Sequence, residues 1–240
     1  MLPKKNIVII LQARLSSKRY PKKIFHKFWG KKLLQVICER QSAKRCQEVI
    51  KSRGYDVNVK YLIATSDEKS DDEVYELAKK IKIDCYRGSL ENVLKRYYDA
   101  NLFLEMSNSA KSDVICRVTA DNIALDYNFI ADHIIWYITN NIDYGVTSKH
   151  YPEGLKCEIF SSTHLHTAYK KAKSSYEKEH VTPYIIKNFR TSFFKHREIT
   201  NRKYLSLTLD TIEDLERIEK IIDSKKLKLH SNWIKFVTNT

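Results

Sequence analysis

Apolar residues along the chain come in short bursts that stop abruptly. Ile7 to Leu11 is an unbroken apolar run halted at Gln12, and Val57–Thr65 (VNVKYLIAT), Ile83–Tyr86 and Asp113–Val118 (DVICRV) repeat the pattern, each followed by a polar turn. Short runs rich in β-branched residues read as strands, and a run with no polar alternation reads as a strand buried on both faces. Between the bursts the apolar spacing changes to three and four. Leu33, Leu34, Ile37, Cys38 and Val49 predict a helix over Lys32–Lys51, broken at Arg53-Gly54. Val74, Leu77 and Ala78 predict a second that ends near Lys82 and opens at Ser70, with Glu73 in capping-box spacing. Val93, Leu94, Tyr97 and Tyr98 predict a third.

The second half is less regular. Phe129–Ile138, His164–Lys173 and Glu177–Phe189 read as helices, while Ile142–Thr147, Cys157–Ser161, Thr191–Ile199 and Leu205–Leu209 read as strands. Thr211 and Asp214 have capping-box spacing at the start of a further helix, and Trp233–Val237 predicts a short final one. Strands alternating with helices imply an α/β fold with a central, mainly parallel sheet covered on both faces. Residues 1–240 are expected to form a single domain, with roughly 142–200 supplying an acceptor site or a homodimer contact.

In such sheets the carboxyl ends of the strands share one rim, where ligands bind. Gln12, Ala13 and Arg14 follow the first strand, Thr65, Ser66 and Asp67 the second, Arg87 and Gly88 the third, Asp121 the fourth, and Asp210 a late one. The stretch NIVIILQARLSSKRYPKK, Asn6 to Lys23, carries Arg14, Lys18, Arg19, Lys22 and Lys23 with Ser16, Ser17 and one proline. That composition suits a polyphosphate, because charge-assisted and bidentate bonds to phosphate oxygens are the strong ones. Cations for phosphates beside carboxylates for a hard metal ion is the division of labour phosphoryl transfer requires. A basic surface loop is the plainer reading of the same residues, and Asp121 as a turn residue and Asp210 as a helix cap are the plainer readings of the carboxylates.

Composition narrows the class. The chain has 240 residues, 42% hydrophobic and 30% charged, with only 5 Gly and 4 Pro, which fits an ordinary globular protein without long linkers. No apolar run approaches about 18 residues, so no membrane insertion is expected, and the expected location is cytoplasmic. Five cysteines without a CxxC pair read as structural thiols. The net charge of +14 is dispersed among acids rather than gathered in a block, which weakens a nucleic-acid-binding reading. HExxH, Walker A and GxGxxG motifs are absent.

The stretch QARLSSKRYPKK resembles the signature QARxxSxRxPxK of bacterial cytidylyltransferases similar to the spore-coat polysaccharide biosynthesis protein, relatives of the synthetases that activate sialic and ketodeoxyoctonic acids. LIATSDEKSDDE, YRGSLENVLKRYYDA, RVTADN, YPEGLKCEIFS, EKEHVTPYI and TLDTIEDLERI follow in the family's order. The resemblance implies a Rossmann-like nucleotidyltransferase fold with a mixed, mainly parallel sheet. It also implies transfer of CMP from CTP to a small anionic or sugar acceptor, a sugar acid or a sugar or polyol phosphate, for a surface glycan. Arg14, Arg19 and Lys23 are implied to hold the triphosphate, with Gln12, Ala13, Ser17, Thr65, Ser66, Asp67, Arg87 and Gly88 completing the nucleotide site. Asp121 and Asp210 are implied to bind Mg²⁺, and Arg14, Lys23, Asp121 and Asp210 to carry catalysis. Glu153, Glu179 and His180 are the acceptor candidates. Three departures stand out: Ser16 and Lys22 replace usual glycines, and Thr119-Ala120-Asp121-Asn122-Ile123 replaces TGDCP. A glycosyltransferase on a related sheet is the rival enzyme class, but no convincing DxD motif ends the fourth strand.

Overall fold

The structure, a computed structural model, describes residues 3–16, 19–108, 110–195 and 205–233. Strand β1 (Lys5–Gln12) is followed by a small hairpin, β2 (Lys27–Phe28) and β3 (Lys31–Lys32), then by helices α1 (Leu33–Arg40) and α2 (Ala43–Ser52). Alternation continues through β4 (Val57–Ser66), α3 (Asp72–Lys80), β5 (Asp84–Gly88), α4 (Val93–Asn108), β6 (Val114–Thr119) and α5 (Tyr127–Thr139). The second half adds β7 (Tyr144–Thr147), β8 (Glu158–Ser161), α6 (Ser162–Lys171), α7 (Ser175–His180), α8 (Pro183–Asn188), β9 (Thr191–Phe194) and α9 (Ile212–Ser224).

Seven of these strands form one sheet in the order β5-β4-β1-β6-β8-β7-β9. β1 pairs in parallel with β4 and β6, β4 with β5, and β7 with β9; β8 alone runs against its neighbours. The fold is therefore the Rossmann-like α/β arrangement expected, with a mixed, mainly parallel sheet. β1 lies at its centre, and alternate residues feed two cores. Ile7, Ile9 and Leu11 pack with α1, α2 and α5 on one face, while Val8 and Ile10 pack with α4, α6 and α8 on the other. An uninterrupted apolar run is what a strand covered on both faces demands.

Three elements differ from expectation. The helix expected over Lys32–Lys51 is two, because Arg40 turns inward and Ser42 starts anew. Arg40 is 1% exposed and donates to the carbonyls of Ile123 (2.7 Å), Ala124 (2.9 Å) and Leu229 (2.6 Å), while Ser42 caps α2 at Arg45 N. The helix expected over Glu177–Phe189 is also two. Val181 separates them at φ 70°, a left-handed conformation costly for a β-branched residue, and Pro183 then opens α8. Finally, Leu205–Leu209 does not join the sheet. It makes only isolated bridges, Asn122 with Thr208 and Glu153 with Ser206. Of the expected Thr191–Ile199 strand, residues 196–199 lie outside the described residues, as does all of the final short helix after Trp233.

Candidate active site

The loop after β1 is pinned from beneath by a carboxylate. Asp71, fully buried, accepts Leu15 N (2.7 Å) and Ser66 N (3.1 Å), and also the Ser66 hydroxyl. The helix start expected at Ser70 is thus displaced: a 3-10 turn spans Lys69–Asp71, and Asp71 turns its carboxylate to the β1 loop instead of capping α3. At the other end of the loop Lys22 sits at φ 55°, the region glycine enters without strain, so its side chain is accommodated at a backbone cost. Its ammonium pairs with Glu73 (2.7 Å) and does not line the cleft described next.

A cleft of about 1110 Å³ opens at the carboxyl ends of β1 and β6. Gln12, Arg14, Ser16, Arg19 and Lys23 form one wall, and Leu90, Glu91 and Asn92 before α4 form another. Thr119, Ala120, Asp121 and Asp210 close a third side, and α7 contributes Ser175, Lys178 and Glu179. The bridging segment explains how Asp210 arrives there: Leu209 N donates to Asp121 O at 2.9 Å, which sets the next residue beside the end of β6. Lys23 Nζ reaches Asp210 Oδ1 at 2.6 Å and the Leu209 carbonyl at 2.8 Å, and Arg19 Nη2 reaches Asp210 Oδ2 at 2.9 Å. Asp210 is not the cap of α9. Thr211 fills that role with Asp214 in a capping box, so the Asp210 carboxylate is free to face the cleft. Asp121 accepts from Thr119 Oγ1 at 2.5 Å. Arg14 is exposed in the cleft and makes no ion pair among the described residues.

The other anticipated residues are placed differently. Ala13 is buried, and Ser17 lies outside the described residues. Thr65 and Ser66 are fully buried, and neither they nor Asp67, Arg87 and Gly88 line the cleft. Arg87 instead braces the loop after β4, pairing with Asp72 (2.7 Å) and donating to the carbonyls of Ser66 (3.2 Å) and Glu68 (3.0 Å). Gly88 is packed so closely that a Cβ there would meet Tyr86 Cε1 at 2.9 Å. Of the acceptor candidates, Glu179 lines the cleft. His180 is exposed against the Tyr176 ring, 4.5 Å between centroids, and Glu153 is exposed while its carbonyl takes Leu207 N at 2.7 Å. Sequence reasoning missed Asp71, Asn92 and Lys178; the run SDEKSDD after β4 was the visible signal for the first.

Behind the cleft floor lies a buried ion pair. Arg117 on β6 pairs with Glu158 on β8 and donates from Nη2 to Gln12 Oε1 at 3.1 Å. Glu158 also accepts from Tyr144 (2.5 Å) and Thr182 (2.9 Å). Burial pushes its carboxyl up, but Arg117, then Lys156 and the two hydroxyls, outweigh that and hold it at about 2.

A mainly parallel sheet whose rim joins a cationic loop to two carboxylates defines a nucleotidyltransferase. The chain belongs to the cytidylyltransferase family, whose profile matches residues 8–235. It is 33% identical over 214 residues to an uncharacterized protein of Methanocaldococcus jannaschii, covering 88% of this chain and 80% of that one. It is 29% identical over 220 residues to the spore coat polysaccharide biosynthesis protein SpsF of Bacillus subtilis, covering 90% and 86%. Among solved structures, a cytidylyltransferase from Leptospira borgpetersenii superposes with a TM-score of 0.82 at 27% identity, covering 97% of this chain and 92% of that one. CMP:2-keto-3-deoxy-manno-octonic acid synthetase complexed with CTP shares the fold, with a TM-score of 0.60 at 13% identity over 92% of this chain and 100% of that one. The protein is thus a CTP-using nucleotidyltransferase, and among the described residues no helix is long and apolar enough to cross a membrane.

Proposed function

We propose that the protein transfers CMP from CTP to a sugar acid or to a sugar or polyol phosphate, releasing pyrophosphate, in the making of a surface glycan. The observation that carries this reading is the meeting of Arg14, Arg19 and Lys23 with Asp121 and Asp210 in one cleft. Arg14, which makes no ion pair among the described residues, binds the triphosphate through its forked donors. Arg19 and Lys23 sit where they stabilise the charge that develops on the leaving pyrophosphate. Lys178 and Glu179, on the α7 wall, hold the acceptor whose oxygen attacks the α-phosphorus in line.

Asp121 and Asp210 are the residues that would hold Mg²⁺. Their donor set fits it: two carboxylates lining one cleft suit an ion that takes one or two carboxylates and fills its shell with substrate phosphates and water. Such an ion supplies neutralisation of phosphate charge. The glycan role is supported by the likeness to the B. subtilis spore coat polysaccharide biosynthesis protein. The test is pyrophosphate release from CTP and Mg²⁺ over a panel of sugar acids and of sugar and polyol phosphates. Release with one acceptor class, and little without acceptor, is expected; no release with any acceptor overturns the reading.

A further inference from the structure

Glu158 does not touch the cleft, yet two of the cleft's walls are tied to it. The carboxylate is 2% exposed and gathers Arg117, Tyr144, Thr182 and, at 3.8 Å, Lys156. Thr182 follows α7 almost directly, so one partner of Glu158 anchors the wall that carries Lys178 and Glu179. The other partner, Arg117, reaches the opposite wall at Gln12, and the Tyr97 ring lies 5.8 Å from the guanidinium carbon.

The Arg117 contact decides which way the Gln12 amide points. A guanidinium is all donor, so only the amide oxygen of Gln12 can face it; the two ends of an amide are told apart by such partners. The Nε2 group, with two N–H donors, is thereby turned away from Arg117. Gln12 lines the cleft, and among the described residues no acceptor is bonded to that nitrogen. A donor so held lines the cleft at the end of β1, just ahead of the loop assigned to the phosphates in the reading above.

We propose that Glu158 is a positioning residue: by holding Arg117 it locks the Gln12 amide with its NH₂ presented to an acceptor atom on the bound nucleoside. The inference rests on the CTP reading above. Without the Glu158 charge Arg117 loses its anchor, the amide is released, and the donor is no longer preorganised. The phosphates, held by other residues, do not sense the change.

The experiment measures binding of CTP and of inorganic tripolyphosphate, each with Mg²⁺, by calorimetry on the full chain. Gln12→Met and Glu158→Gln are each expected to weaken CTP about tenfold, the scale of one hydrogen bond. Combined, they lose no more than either alone, and tripolyphosphate affinity stays at the wild-type level throughout. Arg117→Lys, which keeps a cation for Glu158 but cannot also reach Gln12, gives the same pattern and serves if Glu158→Gln does not fold. Additive losses, an equal loss for tripolyphosphate, or wild-type CTP affinity in folded Glu158→Gln or Arg117→Lys would overturn the proposal. A wild-type protein that binds no CTP removes the nucleotide reading and this inference with it, whereas CTP binding indifferent to Glu158 and Arg117 removes this inference alone.

Discussion

Lys23 and Asp210, 187 positions apart in the chain, meet at 2.6 Å. The contact joins the first loop of the sheet to the segment before the last described helix, and it is made possible by Leu209 docking on Asp121. Since Thr211 caps α9, Asp210 is not needed for the helix. A carboxylate shared by Lys23 and Arg19 is therefore explained by the cleft and its charges rather than by local structure.

That separation yields a prediction for the carboxylates. Asp121→Asn and Asp210→Asn should each keep the melting temperature within a few degrees and lower turnover by more than about a hundredfold, since even outer-shell partners of a metal are worth about ten- to a hundredfold. The double variant should lose far less than the product of the two losses, because residues acting on one ion are non-additive. Turnover against Mg²⁺ concentration is the measurement. Near-normal activity of Asp121→Asn would remove the metal site.

Arg14→Ala should raise the KM for CTP and lower kcat, because a guanidinium on phosphates acts in both ground and transition states. A hydrogen bond to a charged group contributes about 1.5–3 kcal/mol, so kcat/KM should fall roughly ten- to a hundredfold. Initial rates at limiting CTP check this, and unchanged rates would place the triphosphate elsewhere.

Much of the fold is legible in the sequence because burial on two faces leaves an unbroken apolar run, as at Ile7–Leu11. What is not legible is decided at a distance. The break after Arg40 depends on carbonyls of Ile123 and Ala124, far along the chain. Val181 gives no turn signal: at φ 70° it is buried in the core, with Thr182 N donating to the His180 carbonyl at 2.8 Å and the Thr182 hydroxyl to Glu158, a residue distant in the sequence. Leu205–Leu209 has a strand's composition but docks by isolated bridges to Asn122 and Glu153, contacts set by residues far away in the chain. For the site, the rim was readable but not the direction of each side chain: Gln12, Arg14, Arg19, Lys23, Asp121 and Asp210 converge, whereas Thr65 and Arg87, on the same rim, turn inward or brace a loop.

Among the nucleoside triphosphates, CTP should stabilise the protein most. A ligand at 100 times its Kd contributes about 2.7 kcal/mol, enough to shift a melting curve visibly. A thermal-shift comparison of CTP, UTP, ATP and GTP with Mg²⁺ is expected to rank CTP first. Equal shifts would leave a triphosphate site with no base preference.

Asp71 should matter to the loop more than its distance from the cleft suggests. Asp71→Ala removes the acceptor of Leu15 N and Ser66 N and leaves buried donors unpaired, at about 1–3 kcal/mol each. The variant is expected to melt lower and to bind CTP more weakly than its residual stability alone explains, since Arg14 precedes Leu15 directly. Wild-type CTP affinity in folded Asp71→Ala would show that the loop does not depend on this anchor.

His133 makes stability depend on acid. It is fully buried on α5, its Nδ1 3.2 Å from the Phe129 carbonyl and its Nε2 3.1 Å from Thr147 Oγ1, and burial lowers its pKa from 6.5 to about 3. Between those values the unfolded chain takes up a proton there and the folded chain does not. The contribution of this group is thus complete above about pH 6.5 and is lost as the pH falls toward about 3, at up to about 1.4 kcal/mol per pH unit. Glu158 adds a second loss only lower, between its ordinary range near 4.5 and about 2. Urea unfolding of wild type and His133→Gln at intervals from pH 7 to pH 5, above the Glu158 window, isolates the histidine. The wild-type slope should exceed the variant's by close to one proton at the acid end; equal slopes would show that His133 is protonated in the folded protein.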